Sequence, residues 1–135
     1  MMLIDTDVLI DVALRRVPHA FPAAELFEKI QHGVEAANVA WHSISNLHYL
    51  TARSLGRDNA REFILELIRF VPVAATGTEA VRYAAELPMS DFEDAMQVAA
   101  ARACGATRIV TRNVSDYARS PIPAVTPQEA LAGLS

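Results

Sequence analysis

The residues of this sequence best suited to chemistry are acids set far apart along the chain. Asp5 follows the apolar run Met2-Leu3-Ile4 and precedes Val8-Leu9-Ile10, a pattern that predicts a buried strand ending at Asp5 and turning into a helix. Asp91 and Asp94 stand three residues apart, on one side of a predicted first helical turn. Asp116 lies just beyond the strand-like run 107–111, after Arg112 and Asn113. Carboxylates facing one pocket repel each other, and without a cation some must take up protons. A divalent ion resolves that conflict, and an all-oxygen donor set with no His or Cys cluster favours Mg²⁺ or Mn²⁺ over zinc. Such an ion can activate water and stabilise charge on a phosphoryl group under attack, so phosphodiester hydrolysis follows most directly. Each acid also has a plain structural alternative. Asp91, Glu93 and Asp94 suit a first helical turn through the macrodipole, Asp116 suits a local turn, Asp7 a helix cap and Asp11 a solvent-facing side.

These acids can meet only if the elements between them bring strand ends and helix starts to one rim. Strands alternating with helices imply a mostly parallel sheet covered on both faces, and ligands gather at the carboxyl ends of such strands. The spacing predicts strands ending at Asp5 and over 35–41, 71–74, 107–111 and 124–125. Helices are expected from Thr6 or Asp7 to about Leu14, from Pro22 to Gly33, from Ser43 to a stop at Gly56, and from Asp58 to Phe70. Thr76 with Glu79, Ser90 with Glu93, and Thr126 with Glu129 each read as a capping box opening a further helix. Trp41 and Tyr49 are expected to pack, and His42 and His48 to be surface or hydrogen-bonded groups.

At 135 residues, 52% hydrophobic and 21% charged, the chain fits one compact domain over residues 1–135. Cys104 is the only cysteine, which excludes an internal disulfide and suits a reducing cytosol. No apolar run approaches the roughly 18 to 20 residues needed to span a bilayer, and no secretory signal opens the chain, so a cytoplasmic protein with no membrane partner is expected. The net charge of −4 gives no bulk basic footprint. Lys29 is nevertheless the only lysine, and an arginine bias suits contact with phosphate or with an acidic partner, or reflects a GC-rich genome.

Three blocks, Leu-Ile-Asp-Thr-Asp-Val-Leu-Ile-Asp from Leu3, Ser-Asp-Phe-Glu-Asp-Ala-Met-Gln-Val-Ala-Ala-Ala from Ser90, and Ile-Val-Thr-Arg-Asn-Val-Ser-Asp-Tyr from Ile109, resemble the acidic motifs of PIN-domain ribonucleases, a family that includes the VapC-type toxins of bacterial toxin-antitoxin pairs. The resemblance covers essentially the whole chain. It implies an α/β fold with a parallel sheet of four to five strands in the order 3-2-1-4-5. It also implies Asp5, Asp94 and Asp116 as ligands of Mg²⁺ or Mn²⁺, with Asp91 an auxiliary acid. Thr111 and Asn113 match polar residues that serve water or phosphate contacts or hold the loop. Arg15, Arg16 and Arg112 could contact an RNA backbone. The implied partners are an RNA substrate, a cognate antitoxin protein and a second copy of the chain, for which the apolar positions Leu47, Leu50 and Ile64 offer surface.

One position departs from the pattern. Where the family usually has a glutamate early in the helix after strand two, this chain has Asn46. An amide can ligate through its oxygen but adds no negative charge, so metal affinity is expected to be weaker unless Asp91 compensates. Two other readings stay open: a PIN-like binding module with weak or no catalysis, and a haloacid-dehalogenase-type phosphatase using Asp5 as nucleophile. The latter needs a lysine after a later strand, and Lys29 falls in an early helix.

Overall fold

A computed structural model describes residues 1–134. Its elements follow the chain as β1 (Met2–Ile4), α1 (Thr6–Leu14), α2 (Ala20–Gln31), β2 (Ala37–Val39), α3 (Trp41–Leu55), α4 (Arg57–Leu67), α5 (Thr78–Glu86), α6 (Phe92–Cys104), β3 (Arg108–Val110), β4 (Ala124–Val125) and α7 (Pro127–Ala132). A single 3₁₀ turn, Val114–Tyr117, separates β3 from β4.

The four strands form one parallel sheet in the order β2-β1-β3-β4, with Leu3 paired to Asn38 on one side and to Ile109 on the other. This is the expected α/β architecture with one difference. The predicted strand over 71–74 is reduced to a single bridge between Val73 and the outer side of Val39. Proline at 72 has no N–H to donate, so the ladder there is only Val39 N–H to the Pro72 carbonyl at 3.0 Å and Ala74 N–H to the Val39 carbonyl at 2.8 Å.

Alternation along the strands divides the core. Met2, Ile4 and Val110 face a cluster built with Val8, Leu9, Leu26, Leu47 and Ala130, under α1, α2, α3, α4 and α7. Leu3 and Ile109 face the other side, against Val98 and Ala101 of α6. All three residues of β1 are fully buried, as an apolar run in a sheet covered on both faces requires. Leu47 is buried in the first cluster, while Leu50 and Ile64 pack against it and stay partly exposed.

Several helix starts differ from expectation. Asp5 itself, in extended conformation, caps α1 and accepts from the Thr6 N–H at 2.7 Å. Helix α3 begins at Trp41, two residues before Ser43. Helix α5 starts after Gly77 without a side-chain cap, and α6 is capped by Asp91, whose Oδ1 accepts from the Asp94 N–H at 3.1 Å. The capping box at Thr126 and Glu129 is present, with proline at the first helical position. Gly105 closes α6 in the left-handed conformation, φ 76°, which costs a glycine little.

Ser43 does other work. Its hydroxyl accepts from Thr6 Oγ1 at 2.8 Å and from Gln97 Nε2 at 2.7 Å, and Gln97 Nε2 lies 3.2 Å from Thr6 Oγ1. This buried trio ties the first turns of α1 and α3 to the second turn of α6. Because a buried polar group that loses its partner keeps its desolvation cost, Ser43→Ala is expected to destabilise the fold by about 1 to 3 kcal/mol in urea unfolding. An unchanged midpoint would show that the trio contributes nothing.

Candidate functional site

The crevice lies where the strand order reverses, between the carboxyl ends of β1 and β3, at the switch point of an open parallel sheet. A cavity of about 400 Å³ opens there, and Asp5, Asp7, Glu93 and Asp94 line it together with Asn46 and Asn113. Four carboxylates from two distant segments thus share one pocket.

Asp5 is only 8% exposed, because β1 ends inside the sheet. Its Oδ2 accepts from the Tyr117 hydroxyl at 2.9 Å, and the same hydroxyl lies 3.4 Å from Asp94 Oδ1. The phenol has one proton to give, and the shorter contact assigns it to Asp5. Burial and crowding act on both carboxyls. Burial, followed by the charge of Asp7, pushes the Asp5 carboxyl up to about 7 against the hydrogen bonds of Tyr117 and the Thr6 amide. Burial, followed by the charges of Asp91 and Asp116, pushes Asp94 up to about 6. Burial and then the two carboxylates raise the phenol of Tyr117, so it stays protonated.

Asp7 is neither a cap nor a free acid. Its Oδ2 accepts from Thr111 Oγ1 at 3.2 Å, the Arg112 N–H at 3.2 Å and Asn113 Nδ2 at 2.9 Å. Thr111 Oγ1 also accepts from the Asn113 N–H at 3.1 Å. Thr111 and Asn113 therefore hold the loop after β3 onto α1. Burial raises the Asp7 carboxyl, and the Arg112 amide and charge oppose it.

The structure divides the predicted acids around Asp94. Asp94 lines the pocket of Asp5 and also a neighbouring one of about 440 Å³ formed with Asp91, Asp116 and Arg119. Asp116 is exposed and faces this second pocket, and Asp91 is occupied in capping α6. Asp91 thus stands on the side of Asp94 away from Asn46, which does not suit it to replace a missing acid there. Among the described residues, no three acidic, histidine or cysteine side chains stand close enough to enclose a metal ion as placed, and the Tyr117 hydroxyl bridges Asp5 and Asp94. The chemistry of the donor set still fits a hard cation: the groups are oxygens, they crowd together, and burial makes their charges costly without a counter-ion.

The arginines stand apart from the acidic pocket. Arg112 turns inward, with Nε 2.6 Å from Oδ2 of Asp11, an acid that is 1% exposed and does not face water. The contact is a close charge pair without hydrogen-bond alignment, since neither group has a hydrogen-bonding partner. Arg15 and Arg16 follow the C-terminal end of α1 and do not line the acidic pocket. The aromatic residues differ from expectation. Trp41 and Tyr49 are 72% and 63% exposed, and Tyr49 borders the acidic pocket with Arg53 against its ring.

Sequence reasoning did not single out Tyr117, Asp7 or Glu93 for this pocket. Asp7 carried a signal in the short Asp-Thr-Asp spacing, and Glu93 one in its place beside Asp94; Tyr117 sits in an irregular loop with no periodicity to read.

Comparison with known proteins agrees with this geometry. No curated protein matches the sequence significantly. The fold resembles the DNA-bound VapBC2 structure from Rickettsia felis (TM-score 0.71, 13% identity, 93% of this chain and 97% of that chain). It also resembles DNA-bound VapBC from Salmonella typhimurium (TM-score 0.71, 18% identity, 93% and 97%). A third match is VapC20 from Mycobacterium tuberculosis, described as a toxin that cleaves the sarcin-ricin loop (TM-score 0.65, 15% identity, 98% and 95%). The family model described as PIN domain matches residues 1–115, and with the acids at the switch point of the sheet this chain belongs to the PIN-domain family.

Proposed function

We propose that this protein is a divalent-metal-dependent ribonuclease that hydrolyses RNA phosphodiester bonds, and that it acts as the toxin of a toxin-antitoxin pair in the cytoplasm. The observation that carries the reading is the pairing of Asp5 and Asp94 across the Tyr117 hydroxyl, two carboxylates from separate segments forced into one pocket at the carboxyl edge of the sheet. Mg²⁺ or Mn²⁺ bound by Asp5 and Asp94, with Asp116 approaching from the adjoining pocket, would supply activation of water and stabilisation of charge at phosphorus. The chain's own residues do the remaining work. Asp7, fixed by Thr111, Arg112 and Asn113, keeps the loop after β3 registered against α1 and maintains the negative field of the pocket. Tyr117 holds a proton between Asp5 and Asp94 and sets their spacing.

The toxin role draws support from the fold-level likeness to VapBC complexes and to a toxin described as cleaving the sarcin-ricin loop. By the same likeness the partners are an RNA substrate and an antitoxin protein, and a second copy of the chain is a further candidate. The phosphatase reading is weakened because Asp7, which would be its acid/base, already has three hydrogen-bond donors on one oxygen. A binding module without catalysis is favoured by Asn46 alone. Induced expression in a bacterial host separates these readings: the wild type is expected to arrest growth with loss of intact RNA, and Asp94→Asn, produced at equal level, to be harmless. Growth arrest by both proteins, with RNA intact, would support the binding module.

A further inference from the structure

The fourth acid of the family pattern is missing at Asn46, and the structure shows what Asn46 does instead. Its Nδ2 donates to Glu93 Oε1 at 3.0 Å, across 47 positions of sequence and between the second turn of α3 and the first turn of α6. Glu93 lines the same cavity as Asp5, Asp7 and Asp94. We propose that Glu93 takes the place of the missing acid and completes the cation-holding set around Asp5 and Asp94, with Asn46 as the positioning residue that aims it. The inference rests on the metal-dependent reading above and deepens it.

The argument is one of charge and reach. A glutamate at 46 would bring one negative charge to the pocket from α3; an asparagine brings none. The amide can, however, orient a carboxylate supplied from α6, using a donor that a glutamate lacks. Glu93 has the long side chain needed to reach from the first turn of α6 into the pocket, whereas its neighbour Asp91 spends its carboxylate on the Asp94 amide and faces the other cavity. Glu93 also sits where any acid would favour the positive end of a helix, with or without a metal. That bland role does not call on Asn46. An asparagine committed to the glutamate of a facing helix is the observation it leaves over.

Calorimetric titration of the full-length protein with Mn²⁺ tests the proposal. Glu93→Gln is expected to weaken Mn²⁺ binding at least tenfold, and Asn46→Ala by about threefold, because the carboxylate remains but loses its holder. The double variant Asn46→Glu with Glu93→Gln moves the charge back to α3 and is expected to recover affinity to within about threefold of wild type. Glu93 is exposed, so these variants should melt cooperatively near the wild-type temperature. Glu93→Gln binding Mn²⁺ as tightly as wild type, while Asp5→Asn loses it, would overturn the proposal and leave the metal-dependent reading standing. Absence of Mn²⁺ binding in the wild type would overturn both.

Discussion

Asp5→Asn is expected to abolish RNA cleavage, by at least about a hundredfold, and at the same time to make the metal-free protein more stable near pH 7.5, by roughly 2 to 4 kcal/mol. The two effects have one cause. In the fold the carboxyl of Asp5 is pushed up to about 7 by burial and by Asp7, while in the unfolded chain it titrates near the ordinary value of about 4. The folded state therefore holds a proton that the unfolded state releases between those values, and the stability it contributes is fully present below about pH 4 and lost as pH rises through about 7. Near pH 7.5 the wild type carries a buried carboxylate with no cation to neutralise it. The asparagine amide carries no charge there, and its oxygen can still cap the Thr6 N–H. Asp94, raised to about 6, adds an effect of the same sign that solvent screens more strongly. Urea unfolding in chelator should give a gap between variant and wild type that is widest near pH 7.5 and closes towards pH 4. A variant less stable than wild type at both ends would show that Asp5 is a supporting hydrogen bonder and not a strained acid.

Arg112→Ala is expected to cost about 2 to 4 kcal/mol of stability, an effect on folding that a substrate-contacting arginine would not have. Asp11 is almost wholly buried, and Arg112 Nε at 2.6 Å is the cation that faces it. Removing one partner of such a pair leaves an uncompensated charge in the interior, which is far more costly than the pair is stabilising. Arg112 is itself partly exposed, which places the expectation below the upper end of the usual range. Asp11→Asn combined with Arg112→Ala removes both charges and should recover much of the loss. Arg16→Ala, at an exposed position, should stay within about 0.5 kcal/mol of wild type. A folded, fully stable Arg112→Ala with weakened RNA binding would return this residue to the role its loop position first implied.

What could be read from the sequence follows the range of the forces involved. The strand at Met2–Ile4, the carboxylates at Asp5 and Asp94 and the closing glycines were legible because local pattern dictates them: an apolar run that must be buried, an acid at its end, a left-handed residue after a helix. Helix starts were misplaced by one or two residues where two neighbours could cap, as Ser90 and Asp91 show. Serine ordinarily suits a helix cap, but the Ser43 hydroxyl is needed by Thr6 and Gln97, a demand set only when three helices meet. Arg112 illustrates the same limit. Its loop address suits RNA, whereas its partner Asp11 lies 101 positions away and becomes visible only once β1 and β3 pair. Asn46 was legible as a departure and illegible as a solution, since nothing in its spacing points to Glu93 across the pocket.

The central claim is that acids from separate segments form one cation-dependent nuclease site. The measurement that tests it most directly is cleavage of end-labelled structured and single-stranded RNAs by the purified protein with Mn²⁺, after chelation, and by a folded Asp94→Asn variant. The account predicts cleavage with Mn²⁺, restored by adding the ion back after chelator, and none from the variant. Cleavage that persists in chelator, or that Asp94→Asn retains at the wild-type rate, would contradict it.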